Sequence, residues 1–449
     1  MLIQNTKKKN QSYSCSNCEF ETPKWLGCCP ECKNWNSFEL KQLDLPNKRS
    51  SGINQAKKLK QLDEISSRKI ERICSNIKEW DRVLGGGIVP GSFIILTGDP
   101  GIGKSTLLLQ VSDRLAMNNK VFYFSSEESL EQIKIRADRL GCKSQLLCAD
   151  ESDLDNIIAT LEAEKPDIAI IDSIQNCFTR DIATAPGSVG QLKDSAFKLM
   201  HLAKKNNIAL IVSGHITKEG IIAGPKTLEY MVDAVFYLQG EDRWQTRLLR
   251  SVKNRFGTIS ELGFFQMGTD GLEEMPNINQ HLLQELTHKP GAALISFIEG
   301  SRPLLIELQA LVLASKFGMP QRVISGIDQT QVVLIAAILE KYLQIRLSSQ
   351  DIFFKISGSF KVKTSGADLG IALALLSSYF QKPLPEKSLS LGELSLTGQI
   401  KPINHAMLHI GEAEKFGITN FLIAKNQQIQ TKSQVTTFNS VYDLLMLFE

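Results

Sequence analysis

Long hydrophobic runs are missing from this chain. Its longest apolar stretches, such as LIAAIL at 334–339, fall far short of the roughly eighteen residues that a membrane span requires. The basic start, with Lys7, Lys8 and Lys9, has no apolar segment behind it, so no secretory leader is expected and the chain reads as cytoplasmic. Without export, the nine cysteines point to a reducing compartment, and to thiols or metal rather than disulfides. A strong charge of one sign is missing too. A formal net charge of +3 does not mark a nucleic-acid protein, so local basic clusters have to carry that argument. No internal repeat or low-complexity tract is visible.

What is present is ordinary globular material, 43% hydrophobic and 22% charged, in 449 residues, long enough for two or three domains. Residues 13–40 are dense in Cys, Trp and Pro, and a polar, basic stretch follows to residue 68. From about Glu71 short β-rich runs (FIILT, VFYFS, IAIID, IALIVS) alternate with amphipathic segments. Strands buried on both faces and joined by helices predict an α/β fold with a parallel central sheet. After Asp233 the pattern becomes strand after strand, extending that sheet at one edge, until PNINQHLL (276–283) breaks it. The expected organisation is therefore 1–45, a linker at 46–68, 69–278 and 279–449.

Cys15 and Cys18 form one CxxC pair, and Cys29 and Cys32 form a second ten residues further on. Each knuckle places two thiolates on a tight turn, and two knuckles complete a tetrahedral Zn2+ shell. The segment is also too small to fold without a staple. Cys28 falls outside the spacing and outside the expected shell. Trp25 and Trp35 are expected to form a small core beside the metal, the alternative being that with Lys24 and Lys33 they make a nucleic-acid or partner surface.

GDPGIGKS, comprising Gly98, Asp99, Pro100, Gly101, Ile102, Gly103, Lys104 and Ser105, fits G-x-x-x-x-G-K-[ST] and lies between a strand and a helix. That context identifies a P-loop for ATP. Backbone N–H groups would wrap the β-phosphate at a helix N-terminus, Lys104 would reach the β- and γ-oxygens, and Ser105 would ligate Mg2+. IAIID ends on Asp172 about seventy residues later, as a strand-borne carboxylate for Mg2+ should. For orienting the attacking water, Glu127 is preferred over Glu128, which suits a helix N-terminal acid. His215 reads either as a γ-phosphate or DNA-state sensor or as a satisfied loop histidine.

The ordered set of motifs then resembles the bacterial RadA (Sms) family of RecA-like recombination and repair ATPases. The segments concerned are CSNCEFETPKWLGCCPECKNWN, LGGGIVPGS, the P-loop, SSEESLEQIKIRADRL, DSIQ, APGSVGQ, GHITKEGIIAGPKTLEYMVD and KNRFG (253–257). Cys28, Lys226 and Tyr230 depart from the family pattern, which usually has Arg, Arg and His there. The resemblance implies a RecA-like core behind a four-cysteine zinc finger. It also implies a DNA-stimulated ATPase and helicase that drives branch migration. Its partners would be single-stranded and branched DNA and the RecA recombinase, and it would work as a homo-hexameric ring. Lys253 and Arg255 would serve as an arginine-finger-like pair toward a neighbouring subunit's nucleotide, or as DNA contacts. The loops 179–191 and 218–227, with Lys218 and Lys226, stand where such proteins place DNA-binding loops.

In the C-terminal third, ISGSFKVKTSGADLGIALALLSS (356–378) and LGELSLTGQIKPI (391–403) resemble the proteolytic domain of Lon. An α+β Lon-like domain is implied, with Asp368 at the position of the nucleophilic Ser and Met407 at that of its Lys. Neither residue can run acyl transfer, so a non-proteolytic scaffold is expected, with Lys355, Lys361 and Lys363 on its strands. Two rival readings, an ATP-dependent protease and a nucleotide-switched module of the KaiC type, are weaker, because the dyad is absent and the zinc knuckle and KNRFG are present.

Overall fold

The structure is a computed structural model. It describes residues 12–17, 21–22, 24–41, 61, 71–182, 184–215, 228–241, 246–284, 286–315, 319–357 and 360–449. The chain divides into two compact units, residues 1–68 and 69–449.

In the first unit, β1 (Ser12–Cys15) is flanked by β2 (Glu21–Thr22) and β3 (Phe38–Lys41) in an antiparallel sheet. Cys15, Cys29 and Phe38 form its core, with Tyr13 and Cys32 packed against them. The tryptophans do not join it. Trp25 is 51% exposed and Trp35 74% exposed, which corrects the expectation of an aromatic core. The cysteines and Phe38 already fill the available interior, so both rings stand in solvent.

The second unit begins with α1 (Lys78–Val83), β4 (Phe93–Gly98), α2 (Lys104–Ala116), β5 (Val121–Ser125) and α3 (Leu130–Arg139). It continues through β6 (Leu147–Asp150), α4 (Leu154–Glu164), β7 (Ile168–Asp172), α5 (Val189–Asn206) and β8 (Ala209–His215). β9 (Ala234–Glu241), β10 (Thr246–Asn254), β11 (Leu262–Gly268) and β12 (Gly271–Glu274) complete a nine-stranded sheet of order β12-β11-β10-β9-β4-β8-β7-β5-β6. From β9 to β6 the pairing is parallel; the last three strands extend the sheet at one edge, as the sequence predicts, and they pair antiparallel. Every residue of β4, β5 and β7 is buried. Alternate side chains serve opposite faces: Ile94 and Leu96 join one core, Phe93 and Ile95 the other. Helix starts are capped locally, as where Ser188 accepts from the Gln191 N–H and Asp153 from that of Asp155.

After α6 (Ile278–Leu283) come β13 (Ala292–Glu299), β14 (Arg302–Ala314), β15 (Arg322–Ser325), α7 (Gln329–Leu343), β16 (Gln350–Ile356) and α8 (Asp368–Phe380). β17 (Ser388–Leu391), β18 (Glu393–Leu394), β19 (Ile400–Lys401), α9 (Ala406–Lys415), β20 (Asn420–Ala424) and β21 (Gln434–Phe438) follow. A seven-stranded sheet runs β15-β16-β14-β13-β17-β20-β21, beside the β18–β19 ribbon. α8 is pressed onto this sheet so closely that a Cβ at Gly370 would lie 2.1 Å from Ile295 Cγ2. The two sheets share a core. Leu248, Leu262 and Phe264 of β10 and β11 belong to the same buried cluster as Ile295 and Leu308. Beside that core, Arg302 reaches the fully buried Glu79 at 2.7 Å and lies over the Phe264 ring at 5.4 Å. Among the described residues, no helix is long and apolar enough to cross a membrane.

Candidate nucleotide site and metal knuckle

The P-loop leaves the carboxyl end of β4 and enters α2 at Lys104. Its backbone requires glycine for reasons that can be read at each position. Gly98 has φ +154°, and a Cβ there would lie 2.2 Å from the Leu238 carbonyl oxygen. Gly103 has φ +110° and caps α2 with no side-chain acceptor, leaving the first helical N–H groups for an anion. Gly101, at φ +74°, has nothing within 4 Å of the Cβ position, so the concave side of the loop is open.

Around this loop a cleft of about 250 Å3 gathers Lys104 and Ser105 from α2, Glu127 and Glu128 after β5, Arg136 from α3, and Asp172 from the end of β7. The expected phosphate and magnesium residues therefore converge, although they come from different strands. Lys104 Nζ donates to the carbonyls of Gly98 and Asp99, each at 3.0 Å. Burial lowers its pKa, while the charges of Asp172, Glu127 and Asp99 act in the opposite direction. Asp172 is buried and fixed by two hydroxyls: the Tyr123 phenol donates at 2.8 Å and Ser213 Oγ donates to the other oxygen. Burial, reinforced by the Asp172 charge, pushes the Tyr123 phenol well above its usual pKa, so it remains a donor. Ser173 Oγ donates to Glu127, while Arg136 pairs with Glu128. The two adjacent carboxylates are thus in different company: Glu128 is neutralised by a cation and Glu127 is aimed by a hydroxyl. β8 brings His215 into register with Gly98; the His215 side chain lies outside the described residues.

Tyr123, Ser213 and Arg136 are not among the site residues the sequence points to, and Ser173 is marked there only as the residue behind Asp172. Tyr123 carried a signal, because a phenol inside an otherwise apolar central strand needs a buried partner.

In the small unit the sulfurs of Cys15, Cys29 and Cys32 lie within 4.8 Å of one another, and those of Cys15 and Cys32 are 3.7 Å apart. Zn–S bonds of about 2.3 Å in a tetrahedron put sulfurs about 3.8 Å apart, so the donor set fits that ion. Cys18 lies outside the described residues. Cys28 is not in the cluster, and its Sγ faces the Cys29 carbonyl.

Three family models match: a rubredoxin metal binding domain over residues 13–39, an AAA domain over 60–220, and subunit ChlI of Mg-chelatase over 316–427. The DNA repair protein RadA of Streptococcus pyogenes is 43% identical over 423 residues, covering 93% of each chain. That of Listeria monocytogenes is 42% identical over 427 residues, covering 94% of this chain and 93% of the relative. The chain belongs to the RadA family of DNA repair proteins. It carries the RecA-like ATPase fold, with a metal-binding ribbon and a C-terminal ChlI-type region. A crystal structure of the RadB recombinase is similar over 45% of this chain and 99% of that one, at 24% identity and a TM-score of 0.37.

In this RadA-family chain the KNRFG cations sit at the opposite end of the sheet from the P-loop. Asn254 pairs with Ala234, which pairs with Ile94, whereas Gly98 pairs with Leu238. Four residues of strand, about 13 Å, separate the two levels. Lys253 Nζ donates to the carbonyls of Glu229 (2.6 Å) and Val232 (2.8 Å). Arg255, 53% exposed along its side chain, pairs with Asp233 at 3.1 Å. The loop at 179–191 is knitted by Gln191, whose side chain bonds to both backbone groups of Thr179. Lys218 and Lys226 lie outside the described residues. In the C-terminal region Asp368 is buried and accepts from Gln331 Nε2 (2.6 Å) and the Leu394 N–H (3.0 Å). Met407 Sδ accepts from the Gln430 N–H.

Proposed function

We propose that this chain hydrolyses ATP to drive branch migration of recombination intermediates during DNA repair. We read its organisation as a metal finger (1–45), a linker (46–68), the ATPase core (69–278) and a Lon-like scaffold without protease chemistry (279–449). The observation that carries the ATPase reading is the convergence of Lys104, Ser105, Glu127 and Asp172 on one cleft. When bound, Mg2+ would supply charge neutralisation for the phosphates. The residues of this chain do the rest. The P-loop amides and Lys104 would bind the phosphates, and Ser105 and Asp172 would hold the ion. Glu127, aimed by Ser173, orients the attacking water and takes its proton.

Lys253 and Arg255 cannot serve their own P-loop from the far end of the sheet. Their position supports action on a neighbouring subunit's nucleotide or on DNA within a ring, which we propose to be hexameric. Single-stranded and branched DNA would be the substrates, and the RecA recombinase the partner whose intermediates are processed. The DNA reading rests on family membership and on these cations. Measuring ATP turnover with and without single-stranded DNA tests it: several-fold stimulation is expected, and an unchanged rate would sink the motor. Alanine at Lys253 or Arg255 should spare nucleotide binding and abolish branch migration of a synthetic junction.

A further inference from the structure

Between the nine-stranded sheet and the C-terminal region lies a cavity of about 780 Å3, within the size range of small-molecule sites, about 300–1,000 Å3. It is separate from the P-loop cleft, with which it shares no lining residue. Its wall draws cations from both sides. Arg250 comes from β10, and Lys361 and Lys363 come from the extended segment after β16. In that segment Val362 is fully buried between two exposed lysines, so alternation turns both ammonium groups to the same side. Neither lysine has an ion-pair partner among the described residues.

Two acids also line the cavity, and both are engaged. Glu299 pairs with Arg250 at 2.6 Å, and Glu393 accepts from Ser365 Oγ at 3.0 Å. His409 is only 4% exposed, and its Nδ1 is bonded to Ser296 Oγ at 2.8 Å. Its Nε2 has no partner among the described residues, in a ring that borders the cavity. That nitrogen is therefore left for a ligand or solvent at the cavity wall. Leu248, Phe297 and Phe360 add an apolar wall. Lysines without an ion-pair partner among the described residues, beside an imidazole in the same wall, match a phosphoryl group, and the apolar side suits an organic remainder.

We propose that this cavity is a second site for a phosphoryl anion, independent of the P-loop. The phosphoryl group could belong to a free phosphate ester or to a DNA backbone, and the test separates these sources. Pyrophosphate is titrated calorimetrically into four full-length proteins: the native chain, Lys104→Ala, the double variant Lys361→Gln/Lys363→Gln, and the triple variant. The expected stoichiometries are about two, one, one and none, with at least a tenfold loss of affinity at the altered site. Because both lysines are exposed, the double variant should melt as the native chain does. Pyrophosphate retained in Lys104→Ala at saturating oligo-dT assigns the site to a free ligand, whereas its displacement assigns it to DNA phosphate. A double variant with native pyrophosphate stoichiometry would overturn the proposal.

Discussion

Glu127 and Glu128 are neighbours in sequence, yet their surroundings give them different work. Arg136 holds Glu128 in an ion pair, and Ser173 directs Glu127. Glu127→Gln should therefore keep nucleotide affinity while turnover falls about 10²–10⁴-fold, the usual worth of a positioned base. Phosphate release and a fluorescent-nucleotide titration would check both halves, and undiminished turnover would move the role to Glu128. A second residue-level expectation concerns pH. Burial first, and His405 second, pull the His409 pKa from its ordinary 6.5 down to about 4. Below about pH 6.5 the unfolded chain takes up a proton that the folded chain refuses, so stability drops as pH falls from 6.5 toward 4. His409→Gln should flatten that part of the profile, as measured by urea unfolding at pH 7 and pH 5. An identical slope in both proteins would refute the assignment.

Among the elements, α1 and the β13–β14 hairpin are joined by one buried charge pair. Glu79 accepts from Arg302 Nη2 and from the Phe264 N–H. Arg302→Ala would leave a fully buried carboxylate with only the Phe264 N–H and the half-exposed Arg82 at 3.7 Å, and loss of one partner of such a buried pair costs up to about 3–5 kcal/mol. Glu79→Gln/Arg302→Met should recover most of it; thermal melts of the two variants decide the matter. None of this was legible in the sequence, because residues 79 and 302 become neighbours only through the fold. Elements were easier to read where their apolar period was unmixed. β4, β5, β7 and β8 stand out as short apolar runs ending in turn residues. β14 did not, since RPLLIELQALVLA fits a buried helix as well as a strand. The P-loop was legible because its chemistry is contiguous, whereas the Tyr123–Asp172–Ser213 set is spread over three strands. Trp25 and Trp35 are exposed although large and apolar, because the interior of their unit is mostly sulfur.

At the scale of the whole molecule, the register of β4, β9 and β10 fixes an asymmetry. The phosphate loop emerges from one end of the sheet and the KNRFG cations from the other. If each nucleotide is served by cations from the next subunit, defects in the two groups belong to different sites even when they lie on different chains of one ring. Lys104→Ala and Lys253→Ala proteins, each inactive alone in branch migration, should therefore complement one another when mixed. At some junctions an intact P-loop from one parent meets an intact KNRFG from the other. Titrating one variant against the other at constant total protein should give an activity maximum near equal amounts, and a flat line at zero would assign the KNRFG cations to DNA rather than to a neighbour's nucleotide. Such a maximum would make the ring a mosaic in which two broken genes together encode a working machine.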